Sequence, residues 1–276
     1  MEINDQIKQR TKEIEEEISQ MSQTQAMTGV FKEGKELTQL LDENQTIIHL
    51  GANIGLGKTS TTDLIGIYGT TKVIHEDTKN ELLKWYYGSM KKYAERLQID
   101  LISTRPQQMV SKMRGYPNQS LIFDRTTYED LIFSKVLKSE GHMSEDSLKF
   151  CQDYFLMKKE QIERIEKSTL GDKGLDPDLI IILKSSEEKG WERVQERERK
   201  IEVREDAGKG VGLPREFYHA LHQQYENFEN FLKDYYSGPI LTLGQDSLEV
   251  GDSSNSKGQL YTVKAVKEAL KIIYHK

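Results

Sequence analysis

Phosphate chemistry is concentrated in the run Gly51-Ala52-Asn53-Ile54-Gly55-Leu56-Gly57-Lys58-Thr59-Ser60. In a glycine-rich turn of this kind successive backbone N–H groups surround a phosphate, a lysine after the last glycine neutralises it, and the next hydroxyl serves a magnesium ion. Gly57-Lys58-Thr59 completes the G-x-x-x-x-G-K-[ST] pattern, but the position that opens it holds Ala52, with Gly51 one residue earlier. Alanine is harmless there at negative φ and strained at positive φ. On this pattern Ala52, Asn53, Ile54, Gly55, Leu56, Gly57, Lys58, Thr59 and Ser60 bind a nucleoside triphosphate. Lys58 bridges its β and γ phosphates, and Thr59 ligates Mg2+.

Such a loop must be carried between a strand and a helix. Thr46-Ile47-Ile48-His49-Leu50 is a short apolar run before it, and a helical pattern follows through Ile67. Further short β-like runs occur at Lys72 to His75, Ser120 to Phe123, Leu179 to Leu183 and Pro239 to Leu243, separated by helix-period segments. Strands alternating with helices predict an α/β fold, a parallel sheet of about five strands flanked by helices. Residues 1–44 are polar and helix-prone, with Ile7, Ile14, Ile18 and Met21 near one face. They read as an amphipathic N-terminal helical extension, packed on its own domain or on a dimer partner, with a regulatory role as the alternative. Residues 45–276 form the single α/β domain.

Composition narrows the partners. The 276 residues are 36% hydrophobic and 30% charged, enough apolar material for a sizeable core. A formal net charge of −6 argues against holding polymeric nucleic acid by bulk charge and leaves small anionic ligands open. No run approaches a membrane span, and the N-terminal residues lack the layout of a secretory signal. The single cysteine, Cys151, excludes an intramolecular disulfide and fits a reducing, cytoplasmic setting. Cys151 reads as a small buried hydrophobe. The histidines, His219 and His222 included, lack ligand spacing, so no zinc site is expected and these two read as helix-surface residues.

Beyond the loop, several segments share a type, order and spacing: His75-Glu76-Asp77 after the second strand, Tyr87, Gln98 and Arg105 on the helices that follow, and Asp124-Arg125-Thr126-Thr127-Tyr128-Glu129-Asp130 closing the third strand. Later comes Arg193-Val194-Gln195-Glu196-Arg197-Glu198-Arg199-Lys200-Ile201-Glu202. Together, from about Ile47 to Tyr236, they resemble the deoxynucleoside kinase family. The resemblance implies ATP-dependent phosphorylation of a deoxynucleoside 5′-hydroxyl, with Glu76 as general base. Taken alone, a glutamate at a strand end is ordinarily a solvated surface residue. Asp77 stands where the family usually has proline, and its carboxylate is expected to raise the pKa of Glu76 or to offer a second metal contact. Asp124 and Arg125 match the family's acidic-Arg pair, a Mg2+ ligand and a phosphate-binding guanidinium. Arg193, Arg197 and Arg199, ordinarily an ion-paired helix, become a lid over the phosphates in this company. The family often reads Arg-Gly-Arg where Arg197-Glu198-Arg199 stands.

Substrate choice follows the same resemblance. Tyr87 and Glu202 fall where relatives hold the sugar 3′-hydroxyl, and Gln98 where an amide pairs with the base edge. Arg105 and Asp130 match a buried pair of purine and deoxycytidine members, which favours deoxyadenosine or deoxyguanosine. Ser134 replaces a base-stacking phenylalanine, and Phe133, one residue away, points about 100° elsewhere on a helix. Of Trp85, Tyr86 and Tyr87, only Tyr87 is expected to reach the substrate. The resemblance also implies a homodimer. Two alternatives stand beside it: a thymidylate-type nucleoside monophosphate kinase, and a non-catalytic nucleotide-binding subunit of the same fold. The first needs an extra basic pocket, which Glu76 beside Asp77 disfavours.

Overall fold

The computed structural model describes residues 2–76, 81–171, 174–196, 213–244, 246, 248, 250 and 254–274. Five short apolar segments, β1 (Ile47–Gly51), β2 (Lys72–Ile74), β3 (Leu121–Phe123), β4 (Leu179–Lys184) and β5 (Ile240–Gly244), pair in the order β2-β3-β1-β4-β5. Every pairing is parallel. Both faces of such a sheet must be covered, and the side-chain alternation shows how. Ile48, Leu50, Leu179, Ile181, Leu183, Leu241 and Leu243 enter one core, and Ile180, Ile182 and Ile240 enter the other.

The first core is closed by α1 (Ile3–Ser19), α2 (Gln23–Asn44), α3 (Lys58–Gly66) and α12 (Ser256–Tyr274). Residues 3–44 are thus two helices rather than one continuous stripe. Ser22 separates them, accepting from the Gln25 N–H while the Gln25 side chain accepts from Ser22 N–H, a reciprocal cap that starts a new helix. Ile7, Ile14 and Ile18 of α1 are buried against α12 and β5 in the same core as the sheet residues. Asn4 also caps the edge strand: its Oδ1 accepts from Ile240 N–H at 2.8 Å.

The second face carries α4 (Glu81–Gly88), α5 (Met90–Gly115), α6 (Glu129–Ser139), α7 (Glu145–Ile165), α9 (Glu187–Glu196), α10 (Arg215–Glu226) and α11 (Phe228–Leu232). A short α8 (Lys167–Leu170) packs at the far end of α5. Among the described residues no helix is long and apolar enough to cross a membrane. The phosphate loop follows β1, Asp124 follows β3 and Glu76 stands two residues beyond β2, so three chemically loaded segments meet at the carboxyl edge of the sheet. In open parallel sheets that edge is where ligands bind.

Candidate active site

Two glycines let the loop turn. Gly55 and Gly57 have φ of +83° and +70°, while Ala52 does not take a positive φ, so the substitution at the head of the motif is unstrained. A Cβ on Gly55 would come within 2.6 Å of Gly190 O and 2.8 Å of Val194 Cγ2, which shows how tightly α9 lies over the loop. Lys58 opens α3 and is buried, its Nζ donating to Ala52 O at 2.5 Å and Asn53 O at 3.3 Å. Thr59 Oγ1 donates to Asp124 Oδ2 at 2.7 Å. The other oxygen of that buried carboxylate, Oδ1, has no hydrogen-bond partner. A hydroxyl and a carboxylate with an unclaimed oxygen are the hard donors that Mg2+ takes, so these residues fit the ion.

From the loop a cleft of about 510 Å3 runs between α4, α5 and α6. Glu76 lies at its centre, with Oε1 accepting from Arg105 Nη2 at 2.5 Å and paired with Arg125 Nε at 3.0 Å. Burial alone would raise the Glu76 pKa, but Arg125, Arg105 and Lys58 together outweigh it and hold the carboxyl down at about 2. The net shift of Glu76 is therefore downward, and Asp77, expected to raise it, lies outside the described residues. Arg105 also pairs with Asp130. Gln98 and Arg105 share a face of α5 at a spacing of seven, which brings both to the cleft wall. Burial pushes Asp130 up to about 6 against the pull of Arg105 and Arg125. Three polar atoms of the wall, Gln98 Oε1, Asp130 Oδ2 and the Tyr86 hydroxyl, are buried without a partner.

The cleft brings together Ile54, Gly55, Leu56, Gly57, Lys58, Thr59, Glu76, Tyr87, Gln98, Arg105, Asp124, Arg125 and Asp130 of the expected set. Ala52 and Asn53 are buried beneath the loop, and Ser60 faces solvent on α3. Arg193 sits on α9 beside Val194 and does not line the cleft. Arg197, Arg199 and Glu202 lie outside the described residues.

Several local expectations change. Tyr86 lines the cleft beside Tyr87, whereas Trp85 is 44% exposed. Phe133 faces the cleft, with the Arg125 guanidinium 5.2 Å from its ring centre, while Ser134 is buried and donates to Asp130 O. The phase of α6 thus supplies an aromatic ring from the neighbouring position. His219 is exposed and paired with Glu187, but His222 is partly buried rather than a surface residue. Cys151 is buried, as its size suggested. Among the described residues no group of His, Cys, Asp and Glu could hold a metal of the zinc kind.

Glu129, not among the residues expected from the sequence, also contacts the site. Thr126-Thr127-Tyr128-Glu129 has the spacing of a capping box, and Glu129 Oε2 accepts from Thr126 N–H at 3.1 Å. Its Oε1 accepts from Ala52 N–H at 3.2 Å and from the Tyr225 hydroxyl, and lies 3.7 Å from Arg125 Nη1 and 4.0 Å from Lys58 Nζ.

A strand, a phosphate loop and a helix, with carboxylates delivered from the ends of β2 and β3 to one cleft, define a P-loop kinase. Comparison with known proteins narrows the class. The family model described as deoxynucleoside kinase matches residues 48–270, and the chain belongs to that family. It is 29% identical over 194 residues to the deoxyadenosine kinase of Dictyostelium discoideum, a match covering 68% of this chain and 69% of that protein. A deoxyguanosine kinase of Lactobacillus johnsonii is 27% identical over 158 residues, covering 57% and 66%. The matches thus span about two thirds of those relatives' own lengths. Among solved structures, the deoxyadenosine kinase from M. mycoides with bound dATP shares the fold with a TM-score of 0.54 at 21% identity, over 72% of this chain and 90% of that one.

Proposed function

We propose that this protein transfers the γ-phosphoryl group of ATP to the 5′-hydroxyl of a purine deoxynucleoside, deoxyadenosine or deoxyguanosine. The observation that carries the reading is the single cleft that joins the phosphate loop to the Glu76–Arg125 pair and to the amide, guanidinium and carboxylate of Gln98, Arg105 and Asp130. Relatives named deoxyadenosine and deoxyguanosine kinase support the purine preference.

The loop N–H groups and Lys58 hold the triphosphate, and Lys58 leaves the carbonyls of Ala52 and Asn53 for the phosphates. Glu76, ionised at neutral pH, orients the 5′-hydroxyl and accepts its proton as the bond to phosphorus forms. A carboxylate held this far down is a weak base. In a loose transition state the hydroxyl loses its proton late, so orientation contributes more than basicity. Arg125 offsets charge on the transferring group; a lid role is proposed for Arg197 and Arg199, while Arg193 on α9 does not line the cleft. Thr59 and Asp124 would hold Mg2+, which when bound neutralises phosphate charge.

Gln98 reads the base edge, Arg105 and Asp130 favour purine, Phe133 stacks on the ring, and Tyr87 with Glu202 takes the 3′-hydroxyl. Both cleft arginines are already engaged by carboxylates, Arg105 with Asp130 and Glu76, and Arg125 with Glu76. That pairing leaves a poor pocket for an acceptor carrying its own phosphate and disfavours the thymidylate-type alternative. Residues 45–276 form the kinase domain and residues 1–44 a helical extension that stabilises it. The product feeds nucleotide salvage in the cytoplasm. Phe150, Met157 and Ile165 are exposed along one side of α7, and the ring of Phe150 stacks on Tyr154, an apolar stripe suited to a second copy in a homodimer. Met157→Glu should then shift the protein to monomer in light scattering.

The direct test supplies Mg-ATP with each of the four deoxynucleosides or their monophosphates and identifies the products by chromatography. Phosphorylation of a purine deoxynucleoside, lost in Lys58→Ala, is expected; consumption of a monophosphate alone would replace this reading with the thymidylate-type one.

A further inference from the structure

Glu129 takes no part in the reaction just described, yet its carboxylate is fully buried and touches four segments. A buried carboxylate is costly unless it is paired and hydrogen-bonded. Here the pairing is unusually directed. One oxygen accepts from the N–H of Thr126, next to the acceptor-side Arg125. The other takes the N–H of Ala52, the first residue of the phosphate loop, and the hydroxyl of Tyr225 from α10. Ala52 is therefore gripped twice, at its N–H by Glu129 and at its carbonyl by Lys58. The same oxygen lies 4.0 Å from Lys58 Nζ and 3.7 Å from Arg125 Nη1, between two buried cations that would otherwise repel each other.

We infer that Glu129 is a positioning residue that locks the start of the phosphate loop to the acceptor-side arginine, so that Lys58 and Arg125 face the transferring group at a constant separation. Accepting from the N–H groups of Thr126 and Ala52 alone needs an acceptor atom, which glutamine also offers. Holding two cations beside one oxygen needs the negative charge. The inference rests on the phosphotransferase reading of the cleft, and its effect belongs to the transition state, where both cations act together, rather than to the binding of either substrate.

Steady-state kinetics of the full chain with Mg-ATP and its best deoxynucleoside test this in Glu129→Gln, Tyr225→Phe and the double variant, with ADP binding followed by calorimetry. Because a misplacement of about 1 Å costs on the order of a hundredfold in rate, Glu129→Gln should lower kcat by about 10- to 100-fold, with both KM values and ADP binding changed less than about threefold. Tyr225→Phe, which acts through the carboxylate, should lower kcat by about two- to fivefold and add nothing to Glu129→Gln in the double variant. A folded Glu129→Gln with kcat within about twofold of the parent, or one that raises KM alone, overturns the inference while leaving the phosphotransfer reading intact. Should Glu129→Gln fail to fold, an unchanged kcat in Tyr225→Phe overturns it instead. A parent protein that phosphorylates no deoxynucleoside overturns both.

Discussion

Two arginines decide what Glu76 can be. Arg105 and Arg125 both contact its Oε1, so the carboxylate enters the cycle charged and oriented. Arg105 is meanwhile shared with Asp130, whose buried carboxyl titrates near 6. In the proposed reaction, base choice and proton acceptance are thus linked through one guanidinium. Replacing Arg105→Met together with Asp130→Ala should lower kcat/KM for purine deoxynucleosides by at least about tenfold relative to thymidine, because a site built on polar pairing rejects ligands once its partners are gone. An unchanged ratio in competition assays would remove both residues from base recognition. Asp130 also gives the selectivity a pH dependence. As pH falls through about 6 its carboxyl becomes neutral and releases Arg105, so the purine KM should rise between pH 7.5 and 5.

At the scale of the element, β1 carries an internal liability. His49 is completely buried beside Phe123, and neither ring nitrogen has a partner. Burial holds its pKa down at about 3. The unfolded chain takes up a proton near the ordinary value of 6.5 and the folded chain does not, so stability falls as pH drops from 6.5 toward 3, by at most about 1.4 kcal/mol per pH unit. His49→Leu should raise Tm at pH 5 more than at pH 7.5; parallel pH profiles for the two proteins would refute this. Elements of this kind were largely legible in the sequence. The strands announced themselves as Ile- and Leu-rich runs, and the glycine loop by its spacing, because both signals are local. What stayed hidden depended on contacts far along the chain or on helix phase. Tyr225 meets Glu129 across 96 residues, and an acidic pair opening α6 reads from sequence as ordinary helix-dipole complementation. The choice of Phe133 over Ser134 at the cleft turned on where α6 begins. The break at Ser22 had a legible signal in Ser22 and Gln25, masked by the continuous run of apolar residues at helical spacing on both sides.

For the whole molecule, the N-terminal helices and the sheet share one core, so residues 3–44 hold up the floor beneath the phosphate loop. Ile14 is fully buried in that floor. Ile14→Asp should cost about 3 kcal/mol or more and lower Tm by roughly 6 to 12 °C, since an unpaired charge there has no compensation. A Tm unchanged from the parent would mean that the helices are a detachable arm. The opposite face presents the exposed apolar stripe of α7, where the proposed homodimer would form.

The central claim, that Glu76 serves transfer to a nucleoside hydroxyl in this cleft, is tested most directly by 31P NMR of the protein with Mg-ATP and deoxyadenosine or deoxyguanosine, beside Glu76→Gln. A growing 5′-monophosphate resonance is expected for the parent, and at least about a hundredfold slower growth in a folded Glu76→Gln that still binds ATP. Only inorganic phosphate from the parent, or equal rates for the two proteins, would contradict it.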